Sequence, residues 1–203
     1  MTSRLKVLIA EDEPVVAQGL RAQLEELGHS VVGIAYDGRD AVAKAESLAP
    51  SFVVLDIKMP RLDGLEATRQ IMAHRPVPIV LITAHSDPDL IQLAMTAGVM
   101  GYLVKPVDRK DLAPAISLAV SRFGDLMALR KDVQSLKDAL MLRQQVERAK
   151  GVMERRMGLS EDEAHKRLQH LARHDRCTLG EAAAKVIAAD RFFADLDTLT
   201  ERV

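Results

Sequence analysis

Three carboxylates, a hydroxyl and an ammonium in this sequence each follow a short apolar run. Glu11 and Asp12 come after Val7-Leu8-Ile9-Ala10, Asp56 after Phe52-Val53-Val54-Leu55, Thr83 after Ile79-Val80-Leu81-Ile82, and Lys105 after Tyr102-Leu103-Val104. In an open α/β sheet, ligands bind beyond the carboxyl ends of the strands, so side chains at those ends converge on one pocket. Two negative charges about 4 Å apart repel by roughly 4 kcal/mol at an effective dielectric near 20. A hard divalent cation relieves that repulsion, and Mg²⁺ takes one or two carboxylates, several waters and a phosphate oxygen. A hydroxyl and a point-charge ammonium complete a phosphate cradle. The chemistry this set supports is phosphoryl transfer onto a carboxylate. Asp56 attacks in line, Mg²⁺ neutralises the equatorial oxygens, and Thr83 and Lys105 hold the product. Each residue alone reads equally well as a solvated loop charge; their order and their shared position at strand ends carry the reading.

The elements that must position these groups are legible from periodicity. A further run, Val31-Val32-Gly33-Ile34, joins the four above. Between the runs, Val16, Leu20, Leu24 and Leu27, and later Leu90, Leu93, Ala94 and Ala97, recur at helical steps. Continuous apolar strands alternating with helices predict a parallel sheet covered on both faces. The right-handed crossover rule makes it a doubly wound, five-stranded sheet in the flavodoxin-like order, with the first and third strands adjacent.

After Phe123-Gly124 the strand runs stop. Leu126, Leu129, Val133, Leu136 and Leu140 follow alternating steps of three and four, the spacing of a coiled-coil seam. The next seam position is Arg143, so the stripe lasts about two heptads. Gly158 ends this long helix, and Ser160-Glu161-Asp162-Glu163 and Thr178-Leu179-Gly180-Glu181 match the capping-box spacing that starts two short further ones. The predicted organisation is an α/β domain over 1–123, a coiled-coil linker helix over 124–142, and a small all-α three-helix domain over 143–203.

With 48% apolar residues and a net charge of −1, the chain can build a core and is not a polycation that coats nucleic acid, so any such binding needs a local patch. Met1 leads into polar residues, and the first apolar run is too short for a signal or membrane segment. Cys177 is the single cysteine, which excludes an internal disulfide and a Cys-based metal cage. A soluble protein of the reducing cytoplasm, without membrane contact, is expected.

The runs Val7 to Pro14, Val54 to Pro60 with Asp63-Gly64, Thr83-Ala84 and Lys105-Pro106 together resemble the receiver domain of two-component response regulators over about 4–122. The resemblance implies that Asp56 is the phosphoacceptor, that Asp12, Asp56 and the Lys58 backbone carbonyl ligate Mg²⁺, and that Glu11 acts on the metal through water. It also implies a cis peptide before Pro106, a sensor histidine kinase as phosphodonor, and no enzyme activity beyond self-transfer and self-hydrolysis. Tyr102 stands at the family's rotating aromatic position, which with Thr83 makes a switch pair. Lys58 and His85 would flank the attacking-water path and set the lifetime of the phosphate.

Basic and acidic residues nearly balance from Asp125 onward, with a mild basic bias between Arg143 and Arg176. Arg143-Gln-Gln-Val-Glu-Arg-Ala-Lys-Gly151, followed by Ser160 to Ala164, Leu168 and Ala172, resembles the ANTAR output domain of RNA-binding antitermination regulators over about 135–192. This implies binding of RNA stem-loops by a dimer, with Arg143, Arg148, Ala149, Lys150, Gly151 and Ala172 as candidate contacts. Small residues in that set also read as close helix packing. No aromatic residue interleaves with the basic cluster along the chain, so Arg planes rather than aromatic rings are expected to stack on bases. His165, His170 and His174 lack ligand spacing for a metal, and Cys177 reads as a packing residue. The expected function is a phosphorylation-controlled, dimeric RNA-binding antiterminator. The competing expectations are a receiver-controlled dimerisation or docking module without nucleic acid, and a DNA-binding regulator.

Overall fold

In the computed structural model, residues 4–84, 92–94 and 96–200 are described, the side chains of 196–200 excepted. The chain forms two compact units, Met1–Ala128 and Leu129–Val203.

In the first unit, strands β1 (Lys6–Ala10), β2 (Ser30–Ala35), β3 (Phe52–Asp56), β4 (Ile79–Thr83) and β5 (Gly101–Val104) pair in parallel in the order β2-β1-β3-β4-β5. Side chains alternate across a strand, and the apolar runs fill both faces. Leu8, Ala10, Val53, Leu55, Ile79 and Leu81 share one core cluster with residues of helices α2 (Gly38–Leu48) and α3 (Gly64–His74). Val7, Ile9, Phe52, Val54, Val80 and Ile82 share the other with α1 (Pro14–Glu26) and the start of α4 (Arg109–Met157). The continuous apolar runs are therefore the sequence signature of a two-faced sheet, as expected. β5 departs from that pattern: as an edge strand it leaves Tyr102 and Val104 exposed. Residues 92–94 are helical; Leu90 lies outside the described residues.

α4 is a single 49-residue helix in which the last helix of the α/β domain and the expected linker are continuous. Its beginning packs through Leu112, Ile116 and Ala119. Phe123 and Leu126 still lean on the same core, which is why the first unit extends past 123. Gly124 does not interrupt the helix, because a helical glycine costs only about 1 kcal/mol relative to alanine. α4 is also long and apolar enough, by composition, to cross a membrane. Leu112, Ile116 and Ala119, each at most 1% exposed, are instead used in the sheet's core.

In the second unit, α4 ends at Gly158, whose φ of +67° is the left-handed conformation that glycine adopts without strain. α5 (Glu161–His174) starts with the expected capping box: Ser160 Oγ accepts from the Glu163 N–H, and the Glu163 carboxylate accepts from the Ser160 N–H at 2.9 Å. Thr178 and Glu181 form the same reciprocal pair at the head of α6 (Leu179–Thr200). With 22 residues, α6 is not the short helix expected. Val146, Ala149, Met153, Ala164, Leu168, Ala172, Ala182 and Ala183 pack into this unit's core.

Candidate functional site

β1 and β3 are adjacent, so their carboxyl ends bring three acids together. Glu11, Asp12 and Asp56 each offer an oxygen within 4.8 Å of the others. Glu11 is fully buried, Asp56 is 6% exposed and Asp12 faces solvent. Lys105, just past β5, reaches across: its ammonium lies 2.6 Å from Asp56 Oδ2 and 3.0 Å from Glu11 Oε1. Glu11 Oε2 is 2.8 Å from the same ammonium, but off hydrogen-bonding geometry, and is left without a hydrogen-bond partner. The other Asp56 oxygen, Oδ1, accepts from the Lys58 backbone N–H at 3.2 Å.

Burial pushes the Glu11 carboxyl above its usual range, and the charge of Asp56 adds to that push against the pull of Lys105. Burial works against the Lys105 charge, but hydrogen bonds to Asp56 and Glu11 outweigh it and hold the ammonium above its usual range. One ammonium against three carboxylates leaves an acid excess, and the orphaned buried oxygen of Glu11 marks where it is felt. The donor set, all hard oxygens, fits a divalent cation such as Mg²⁺.

The backbone around Asp56 is fixed from three sides. The Ile57 N–H donates to Ile82 of β4 at 3.1 Å, and the Gly64 N–H donates to Ile57 at 2.7 Å. At Gly64 a side chain would place its Cβ 2.1 Å from the Asp56 carbonyl oxygen, so only glycine lets α3 start against the site. Asp12, Lys58 and Asp63 line an open cavity of about 520 Å³ beside the acids. Thr83 ends β4 at 5% exposure and its carbonyl accepts from the Lys105 N–H at 2.8 Å. Tyr102 lies on the edge strand, 42% exposed. The Lys105–Pro106 peptide is cis. Lys58, whose backbone carbonyl is expected on the metal, lines the cavity beside the acids; His85 lies outside the described residues.

The second unit sorts the candidate RNA contacts differently. Arg143 and Arg148 are exposed, Gly151 is half-buried, and Ala149 and Ala172 are core residues at 0% and 8% exposure. Those two alanines fill the packing role weighed for them. Lys150 is also buried, its ammonium 2.9 Å from Glu147 and 2.7 Å from Glu161. The hydrogen bond to Glu161, then that to Glu147, holds it above the usual lysine range. Sequence spacing shows the Glu147–Lys150 step; the bond to Glu161 joins two helices and has no local signal. His165 pairs with Gln169, and His174 with Asp175. Of the expected seam, Leu129, Val133, Leu136 and Leu140 are exposed, while Leu126 is partly covered by the first unit's core.

Comparison with known proteins places these features among relatives. Residues 7–117 match the response regulator receiver domain family, and 134–187 match the ANTAR domain family. The transcriptional regulatory protein PdtaR of Mycobacterium tuberculosis is 45% identical over 182 residues, covering 90% of this chain and 89% of its own length. A protein-glutamate methylesterase/protein-glutamine glutaminase of Myxococcus xanthus is 42% identical over 107 residues, 51% of this chain and 30% of its own. Among solved structures, the signal receiver domain of a modulated diguanylate cyclase from Desulfovibrio desulfuricans is 36% identical with a TM-score of 0.56, over 60% of this chain and 98% of that one.

Proposed function

The chain belongs to the response regulators, as a receiver domain followed by an ANTAR domain, and on that premise we propose that phosphorylation of Asp56 controls binding of RNA stem-loops for transcription antitermination. The single observation that carries the first half is the Lys105 ammonium 2.6 Å from an Asp56 oxygen beside two further acids.

A sensor histidine kinase supplies the phosphoryl group. One Asp56 carboxylate oxygen attacks phosphorus, the bond from phosphorus to the kinase imidazole breaks, and that imidazole leaves with the electron pair. Asp12, Asp56 and the Lys58 carbonyl would hold Mg²⁺, with Glu11 acting through water. When bound, the ion neutralises charge on the transferring oxygens. Lys105 turns from the Asp56 carboxylate to a phosphoryl oxygen, and the Thr83 hydroxyl donates to another. Drawing Thr83 inward opens room for the Tyr102 ring, which leaves its exposed position on the edge strand. Moving such an equilibrium from 1:99 to 99:1 needs roughly 5.5 kcal/mol of differential stabilisation. A charge-assisted pair with Lys105, and the charge that Mg²⁺ would supply when bound, are the sources. The chain catalyses only its own phosphorylation and dephosphorylation, and Lys58 sets the lifetime from beside the open cavity.

The output is a cytoplasmic homodimer joined through the exposed Leu129–Leu140 stripe, with Arg143 and Arg148 on phosphates and loop bases. That apolar stripe equally favours a second reading, a receiver-controlled dimerisation module without nucleic acid. Crosslinking in cells with and without an acyl-phosphate donor separates them. Recovery of hairpin RNA that rises with the donor supports the RNA reading; dimer without RNA, or duplex DNA in its place, removes it.

A further inference from the structure

The loop that joins β3 to α3, residues 57–63, forms a wall of the cavity beside the acids. Near Asp56 it is tied by the Gly64 N–H, which donates to the Ile57 carbonyl, and by the Lys58 N–H, which donates to Asp56 Oδ1. At its tip the Leu62 N–H donates to the Pro60 carbonyl at 2.7 Å, closing a γ-turn around Arg61. The φ of Arg61 is +65°. That is the rare, strained sign of such a turn, and arginine lacks the short polar side chain that eases it in asparagine or aspartate. Strain of this kind persists only where surrounding contacts over-determine it, and it gathers at functional sites.

The contact that holds the turn comes from α2. The Arg61 guanidinium pairs with Asp37 Oδ2. Asp37 is the buried N-cap of α2, and its other oxygen, Oδ1, accepts from the Asp40 N–H at 3.0 Å. Its charge is therefore met on both oxygens, as a buried carboxylate requires. The same helix start abuts the turn through its backbone: a Cβ at Gly38 would stand 2.1 Å from the Leu62 carbonyl oxygen.

We propose that the Arg61–Asp37 bond positions the 57–63 loop for the cation of the phosphorylation site, so that α2, which carries none of the site's groups, sets how well the Lys58 segment receives Mg²⁺. The proposal rests on the reading of Asp56 as an Mg²⁺-dependent phosphoacceptor and adds to it a positioning residue, Arg61. Without the bond, the loop holds its binding shape for only part of the time. Affinity for the ion then falls in proportion to that fraction, and a high ion concentration restores the bound form. The sign of the effect separates positioning from plain charge. By Coulomb repulsion alone, loss of the Arg61 cation would tighten Mg²⁺ binding and loss of the Asp37 anion would weaken it. Positioning makes both losses weaken it.

The test titrates Mg²⁺ into the full, unphosphorylated chain by calorimetry. Arg61→Asn removes the guanidinium and keeps a residue that tolerates positive φ. Asp37→Asn keeps the helix cap through its amide oxygen and turns its NH₂ toward the arginine, donor against donor. Each weakens Mg²⁺ binding by about threefold to fivefold, which a half-exposed ion pair can supply. The double variant is no weaker than either single one, because both remove the same bond. Arg61→Lys, which keeps a cation, stays near the wild type. Arg21→Ala, which breaks the exposed Arg21–Glu25 pair on α1, leaves the affinity unchanged. In phosphoryl uptake from acetyl phosphate, followed by intact mass, the two Asn variants need more Mg²⁺ for half-maximal rate by the same factor and reach the wild-type plateau. Circular dichroism melts check the fold; if Asp37→Asn unfolds, Arg61→Asn against Arg61→Lys carries the comparison. Tighter binding by Arg61→Asn, or no change in it, overturns the positioning role and leaves the reading of Asp56 standing. A wild type that binds no Mg²⁺ overturns both.

Discussion

At the level of single residues, the site sets the Lys105 ammonium against Glu11, Asp12 and Asp56. Glu11, with its pKa raised by burial and by Asp56, disfavours its ionised form in the fold, so its contribution to stability falls as pH rises through that raised pKa. Mg²⁺ bound among these acids would offset this, and we expect it to raise the melting temperature near neutral pH and to lose that effect in acid, measured by calorimetry with and without the ion. Lys105→Ala should leave the phosphoryl group on Asp56 but uncouple it from the output, read as RNA binding that no longer responds to an acyl-phosphate donor. Lys150 was legible as a basic residue, and its role was not: the ammonium sits between Glu147 and Glu161 rather than on the surface. Lys150→Met should lower the melting temperature. Because its pKa is raised, the interaction is present below the ordinary lysine range and disappears only as pH climbs past it. The five groups of the candidate site were readable because each adjoins a strand end. Ala149 and Ala172 were ambiguous because a small residue permits close helix packing and close approach of a ligand alike.

At the level of elements, continuous apolar runs were sufficient for the sheet, since a strand buried on both faces has few alternatives. The helical half was harder. Gly124 reads as a boundary, yet α4 passes through it, because packing of Leu112, Ile116 and Ala119 on one side outweighs one unfavourable residue. Both caps were legible, since the Ser160–Glu163 and Thr178–Glu181 pairs are local. Ser160→Ala should cost about 1 kcal/mol, read as a lower melting temperature for the second unit. Hydrogen bonds to Ser160 and to Thr178 hold Glu163 and Glu181 below the usual carboxylate range. Their contribution is thus present above that range and lost as pH falls through their lowered values. The seam makes its own prediction. Leu136→Glu places a charge on a position 70% exposed in the single chain, so the monomer should stay folded while the dimer is lost in light scattering.

At the level of the whole molecule, the chain joins a receiver domain to an ANTAR domain. The receiver pocket could be read from order along the chain because its residues adjoin strand ends, whereas contacts such as that of Lys150 with Glu161 join separate helices and required the fold. Everything downstream depends on whether Asp56 takes a phosphoryl group. Intact-mass spectrometry after exposure to acetyl phosphate and Mg²⁺ tests this most directly. The mass of one phosphoryl group should appear on the wild type, map to the peptide containing Asp56, and be absent from Asp56→Asn. No gain in the wild type, or an equal gain in the variant, would contradict the account.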